Sequence, residues 1–240
     1  MSGAAGWRPQ RRFWREATVG AIEGGWTVRL DGRPVSTPAR ALLRAPTRGL
    51  AEAVAAEWRA QGETVTPRSM PLTRALNSAI DRVAPQAAAV RAEIAGYAET
   101  DLLCYRAPHP EALAARQAEA WDPLLAWARA RHGAGLLCAA GVMHVAQRPD
   151  AVARLTEAVA ARDVWRLTAL SDLVALSGSL VIGLMVDEGA LEAEAGWAAS
   201  RVDETWQIEQ WGEDAEAAAA AAEKRADFLA AARLTALLRG

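Results

Sequence analysis

Near residue 47 the hydrophobic period of this chain changes from two to between three and four, and no other feature restricts the fold as much. Before that point, Ala17–Ile22 and Trp26–Leu30 read as strands separated by Glu23-Gly24-Gly25. The second run alternates apolar and polar residues, as a half-buried strand does. Asp31-Gly32 supplies the positive φ angles of a tight hairpin, and Arg33–Thr37 is predicted to return as an edge strand because Pro34 and Pro38 cannot donate to a ladder. After that point Thr47 is placed to cap a helix with Leu50, Val54 and Trp58 along one side, with Trp58 in the core. Pro71 opens the next helix, through Ile80. Further helical patterns follow at 86–98 and 111–121. Asp122-Pro123 reads as a cap followed by a first-turn proline, starting a new helix that stops at Gly133. Pro149 and Asp163 begin two more, Gly189 precedes one that carries Trp197 to Trp211, and an alanine-rich helix closes the chain. The expected class is α+β: a small β-rich N-terminal domain, residues 1–72, packed on a larger, mostly α-helical C-terminal domain, residues 73–240.

Chemistry is constrained mainly by what is missing. A net charge of −2 provides no field for nucleic acid. Leu173–Val186 is the longest apolar run, but it is broken by Ser177, Gly178, Ser179 and Gly183. It is too short to span a bilayer and fits a buried helix pair. The basic start, Arg8 to Arg15, has no apolar stretch after it, so no secretory signal is expected. Lys224 is the one lysine, and with the heavy use of alanine this suggests a GC-rich bacterial genome and a cytoplasmic protein. Cys104 and Cys138 share no metal or redox spacing and both sit in apolar surroundings, so two buried, reduced thiols are expected.

No glycine-rich loop joins a strand to a helix, no serine sits in a nucleophile elbow, and no two of His109, His132 and His144 have ligand spacing. No catalytic residue, metal or cofactor is therefore expected. His132 is placed at a helix C-terminus, where an imidazolium suits the dipole. His144 reads as a buried, hydrogen-bonded histidine or a surface contact.

The most informative segment runs from Val202 to Gly212. On one helix, Trp197, Arg201, Glu204, Ile208 and Trp211 recur at spacings of 4, 3, 4 and 3 and share a face. A carboxylate among large apolar groups needs a partner, and Arg201 is within reach of Glu204. Two readings stay open: a structural ion pair under a tryptophan lid, or aromatic anchors around a charge that meets a partner. The composition leans towards the second, with 10 Trp against 2 Tyr and 2 Phe.

Four stretches resemble a known family: RFWREATV (Arg12–Val19), MPLTRALNSAID (Met70–Asp81), ETDLLCYRA (Glu99–Ala107) and DETWQIEQWGED (Asp203–Asp214). They resemble, in this order, the ATP-synthase assembly chaperone family that binds the alpha subunit of the F-type ATPase catalytic sector, known from mitochondria and alpha-proteobacteria. The sequence departs from the pattern at Arg59, where an acidic residue is expected, and at ALNSAID, where an LANTAID-like run is expected; Asn77 is kept.

The resemblance implies a β-rich domain followed by a helical one, no catalysis and no cofactor. It implies one client, the unassembled alpha subunit, which the beta subunit later displaces, and a chaperone that works as a monomer. An acidic residue of the QIExWG region is important in the family, and the resemblance assigns that role to Glu204, with Gln207, Trp211, Arg201 and Trp197 as its partner-binding neighbours. Two rival readings come from the residues alone: an enzyme using Arg201 and Glu204 as an acid–base pair, and a helical adaptor with another client.

Overall fold

The computed structural model describes residues 11–141 and 143–239. Arg8, where the basic start begins, and the rest of residues 1–10 of the expected first domain lie outside the described residues. Contacts divide the chain into two units, one ending at Arg82 and one spanning Val83–Arg239. The boundary expected after residue 72 falls inside a helix, Pro71–Ser78, of the first unit.

In the first unit, β1 (Ala17–Ile22) pairs antiparallel with β2 (Gly25–Leu30), from Ala17 opposite Leu30 to Ile22 opposite Gly25. The Asp31-Gly32 hairpin forms as predicted, with φ of 46° and 81°. Asp31 also accepts hydrogen bonds from the Glu16 and Arg15 amides, which hold its carboxyl below the usual range. The returning strand β3 is only Arg33–Pro34, shorter than the predicted Arg33–Thr37. Beyond it Val35 and Leu43 continue the pairing through single bonds. Gly25 is required by close approach: a Cβ there would lie 2.4 Å from the Ala45 carbonyl oxygen, which accepts from the Trp26 amide.

Helix α1 (Arg48–Arg59) starts where predicted, with the Thr47 hydroxyl accepting from the Leu50 amide at 3.2 Å. Its inner stripe continues from Leu50 and Val54 to Glu57, and Trp58 is only half-buried. At 100° per residue, seven steps return to the Leu50 direction and eight overshoot it, so Glu57 takes the core position and Trp58 leans edge-on against the buried Trp14, 5.1 Å between rings. The Glu57 carboxylate is satisfied by α2 (Pro71–Ser78). It accepts from the Leu72 amide (2.7 Å), the Thr73 amide (2.8 Å) and the Thr73 hydroxyl (2.7 Å). These donors are the first-turn groups of a helix, which have no partner within it. Asp81 acts in the same way on the sheet side, accepting from the Thr37 hydroxyl at 2.7 Å and the Ala39 amide at 3.0 Å.

The second unit holds α3 (Ala87–Gly96), α4 (Glu111–His132), α5 (Pro149–Ala160), α6 (Val164–Ser177), α7 (Leu180–Glu188), α8 (Ala193–Ser200), α9 (Val202–Trp211) and α10 (Ala215–Arg239). A two-residue parallel ladder, β4 (Tyr105–Arg106) with β5 (Ala139–Ala140), is added to them and was not predicted. The predicted break at Asp122-Pro123 is absent: α4 runs through Pro123. The stripe Gln117, Trp121, Leu124 and Ala128 is buried on both sides of the proline, and this packing outweighs one lost backbone bond. His132 closes α4, but burial pushes its pKa down, against the expected imidazolium, and it lies 3.3 Å from Glu188 Oε1. His144 is exposed and meets the Tyr105 hydroxyl at 3.1 Å through Nδ1, so its surface reading holds. Cys104 is buried as expected, but Cys138 is exposed because it enters β5 on a surface loop.

The Leu173–Val186 run does form a buried helix pair, α6 and α7, joined by Gly178 in the left-handed conformation. At Gly183 an added Cβ would sit 2.6 Å from Val174 Cγ2, so the two helices touch nearly backbone to side chain. Asp101, fully buried, holds the connection. Its carboxylate accepts from the Val181 amide at the start of α7 and from the Leu103 amide, both at 3.1 Å. The Leu102 amide in turn donates to the Gly178 carbonyl. At the other end of α7, buried Asp187 pairs with Arg162 (2.8 Å) and Arg166 (2.7 Å), and Arg239 donates to the Asp187 and Val186 carbonyls. Cations at a helix C-terminus are favourably placed.

Burial raises the Asp101 carboxyl to about 6; the Ser179 hydroxyl and the surrounding amides only partly offset it. The folded state thus binds this proton more tightly than the unfolded chain, whose value is 3.8. The stability linked to it is complete below pH 3.8 and is lost as pH rises through about 6. Asp101→Asn has no such titration. Urea unfolding of both proteins between pH 4 and 7 is expected to show wild type losing ground to the variant by about 2 kcal/mol over this interval. A constant difference between them would refute it.

Candidate functional site

The Trp197–Trp211 segment is not one helix. Helix α8 ends at Ser200, whose hydroxyl donates back to the Trp197 carbonyl at 2.7 Å, and Arg201 leaves helical geometry at φ −115°, ψ 16°. The five residues expected on one face are therefore divided: Trp197 lies on α8, Arg201 at the break, and Glu204, Ile208 and Trp211 on α9. Trp197 is 8% exposed and packs on Phe228, 5.7 Å between rings, which makes it part of the core instead of a contact surface. The Arg201 guanidinium covers it at 5.4 Å and pairs with Glu204 at 2.8 Å. Both partners stay partly exposed, so the pair contributes at most about 1 kcal/mol.

Along α9 two faces separate. The inner one, Asp203, Trp206 and Glu209, is held by α4. Asp203 Oδ1 accepts from Gln117 Nε2 at 2.6 Å, and Gln117 Oε1 accepts from the Ala107 amide at 2.7 Å. The preceding residue of α4, Arg116, pairs with Glu209 at 2.8 Å and lies over the Trp206 ring at 5.0 Å. Each member of the Arg116–Glu209 pair stabilises the other's charge, raising the arginine pKa and lowering the glutamate's. The outer face is Glu204, Gln207, Ile208 and Trp211, at i, i+3, i+4 and i+7. Trp211 is 79% exposed, Ile208 is 45% exposed, and Gln207 is exposed beside them. Gly212, at φ 89°, ends the helix. Asp214 then caps α10 by accepting from the Ala217 amide at 2.7 Å, and α10 runs largely exposed until Phe228 becomes buried.

Of the residues singled out in the sequence, Glu204, Gln207 and Trp211 come together on this stripe. Arg201 stands at its edge, and Trp197 lies beneath. The α4 side, Arg116 and Gln117, was missed. Neither has a local signal, because their partners are 93 and 86 residues away. Among the described residues no group of three or more His, Cys, Asp or Glu is placed to hold a metal ion. No described helix is long and apolar enough to cross a membrane.

A helical scaffold that displays a tryptophan-tipped helix on buried polar supports is suited to meet another protein. The model of the ATP12 chaperone protein family matches residues 11–129. Atp12 from Paracoccus denitrificans is 48% identical, with a TM-score of 0.92 over 95% of this chain and 97% of that one. A lysine-for-aspartate mutant of the same protein matches equally. The Atu1473 protein of Agrobacterium tumefaciens is 42% identical at a TM-score of 0.92, over 95% of this chain and 86% of its own. The mitochondrial protein atp12 of Schizosaccharomyces pombe is 24% identical over 214 residues, 84% of this chain and 74% of its own length. The chain belongs to the ATP12 family of chaperones for ATP synthase assembly.

Gln117→Leu keeps the size of a buried side chain and removes both of its hydrogen bonds, leaving Asp203 and the Ala107 amide unpaired. A stability loss of about 3 kcal/mol is expected in urea titration. Faster amide exchange along α9 should accompany it. Unchanged exchange in α9 would show that Gln117 does not hold the helix.

Proposed function

We propose that this chaperone binds the unassembled alpha subunit of the F-type ATP synthase catalytic sector through the outer face of α9. The observation that carries the reading is the exposure of Ile208 and Trp211 beside Glu204 and Gln207, on a helix whose other face is pinned to α4. A ring subunit without its neighbours exposes apolar interface, and such patches aggregate. A tryptophan already largely in water, on a helix already ordered, meets such a patch at little further entropic cost. Glu204 adds a charge that a basic group on the client neutralises, exchanging with Arg201. The chaperone acts as a cytoplasmic monomer without catalysis or nucleotide, and the beta subunit releases the client by competing for the same surface.

Purified alpha subunit prone to aggregation is mixed with the chaperone, and light scattering is followed. Suppression at near-stoichiometric amounts, reversed by beta subunit, is the expected result. Trp211→Ala should leave the free chaperone's stability within about 0.5 kcal/mol, since the ring is exposed. Client affinity should fall by about 2 kcal/mol, roughly 30-fold. Glu204→Gln should cost about 2–5 kcal/mol of binding and no more than about 1 kcal/mol of stability. Client affinity unchanged in both variants would remove α9 as the contact surface.

A further inference from the structure

The chain's two cysteines, 34 positions apart, come together in the second unit. The parallel ladder pairs Tyr105 with Ala139 and Arg106 with Ala140, and Cys104, the last residue of the Leu102–Cys104 turn, and Cys138 directly precede the two residues that open it. Adjacent strands lie about 4.8 Å apart, within the Cα separation that a disulfide spans. The ladder is fixed on both sides of this point. The Gly141 amide donates to the Arg106 carbonyl at 2.8 Å, and buried Gln147 closes the loop on Leu137, accepting from its amide (2.8 Å) and donating to its carbonyl (2.9 Å). The sulfurs differ in access. Cys104 is 2% exposed, whereas Cys138 is exposed and has the Arg106 Nη2 3.9 Å from its sulfur.

We propose that Cys138 and Cys104 form a modification site for a peroxide, with Cys138 as the attacked thiol and Cys104 as the resolving one. The Cys138 sulfur takes one oxygen of hydrogen peroxide: the S–O bond forms, the O–O bond breaks, and the thiol proton leaves with the second oxygen as water. The Cys104 sulfur then attacks Cys138. The S–S bond forms, the S–O bond breaks, and hydroxide leaves with the Cys104 proton as a second water. Two thiols are oxidised by two electrons and one peroxide is reduced to two waters. Burial raises the Cys104 thiol, with the Asp101 and Cys138 charges adding to it, so Cys104 stays protonated and inert until its neighbour is oxidised. The product ties β4 to β5 covalently, at the base of the loop that exposes Leu137, Met143 and Val145.

The folded full chain is treated with a small excess of hydrogen peroxide at neutral pH, quenched with acid, denatured and alkylated. Free thiols should fall from two to none, with a mass lower by two hydrogens and a Cys104–Cys138 linked peptide in an otherwise monomeric protein. Dithiothreitol should restore both thiols. Under the same dose, Cys104→Ser should stop at a sulfenic acid that dimedone captures on Cys138, and Cys138→Ser should leave Cys104 unmodified. Sulfinic or sulfonic acid on Cys138 with Cys104 still free in wild type would overturn the proposal. So would disulfide dimers in place of the internal link.

Discussion

The buried carboxylate of Asp101 organises the larger unit. It lies between two runs of backbone that must meet: the turn after Asp101 itself and the first turn of α7. A helix start leaves amides with no partner inside the helix, and the Asp101 carboxylate supplies acceptors for them where water is excluded. The joint between α6 and α7 is therefore set from outside both helices, and Gly183 can close onto Val174. The same solution recurs in the smaller unit, where Glu57 serves the first amides of α2 and Asp81 holds the Thr37–Ala39 turn. At the far end of α7 the arrangement is inverted, with Arg162, Arg166 and Arg239 around Asp187 and the last carbonyls.

This pattern separates scaffold from surface within the family-like stretches. RFWREATV contributes buried Trp14 and Arg12, whose guanidinium donates to the Gln61 carbonyl at 2.6 Å. MPLTRALNSAID contributes Asp81 and the α2 amides that Glu57 caps. ETDLLCYRA contributes Asp101. Phe13 of RFWREATV is exposed at 66%, and DETWQIEQWGED turns largely outward: Asp203 faces Gln117 while Trp211 stands in water. A stripe with apolar tips stays soluble because carboxylates flank it, with Glu213 and Asp214 exposed close by.

Much of the architecture was legible because it follows from local geometry. Thr47 had one role available ahead of an apolar-periodic run, Asp31-Gly32 had the only conformations that suit a two-residue hairpin, and Leu173–Val186 was too greasy to be anything but interior. The misreadings also share a cause. Trp58 was assigned to the core from a spacing of eight, which drifts off the stripe; Pro123 was read as a helix start because its neighbours across the unit were not visible; and the helix face from Trp197 to Trp211 ignored a break at Arg201 that no residue type there announces.

By itself, then, the sequence determined the class of fold, the order of most of its elements and the segment proposed here to meet a partner, since each depends on periodicity or on residues near one another in the chain. Tertiary structure alone decided which side of that segment faces outward. Gln117 and Arg116, on α4, claim Asp203, Trp206 and Glu209, and the residues they leave over are the exposed stripe. The same holds for the pairing of Cys104 with Cys138, which rests on a two-residue ladder too short to leave a pattern. Hydrogen bonds that join residues dozens of positions apart carry no local signature, because either partner alone resembles an ordinary surface side chain.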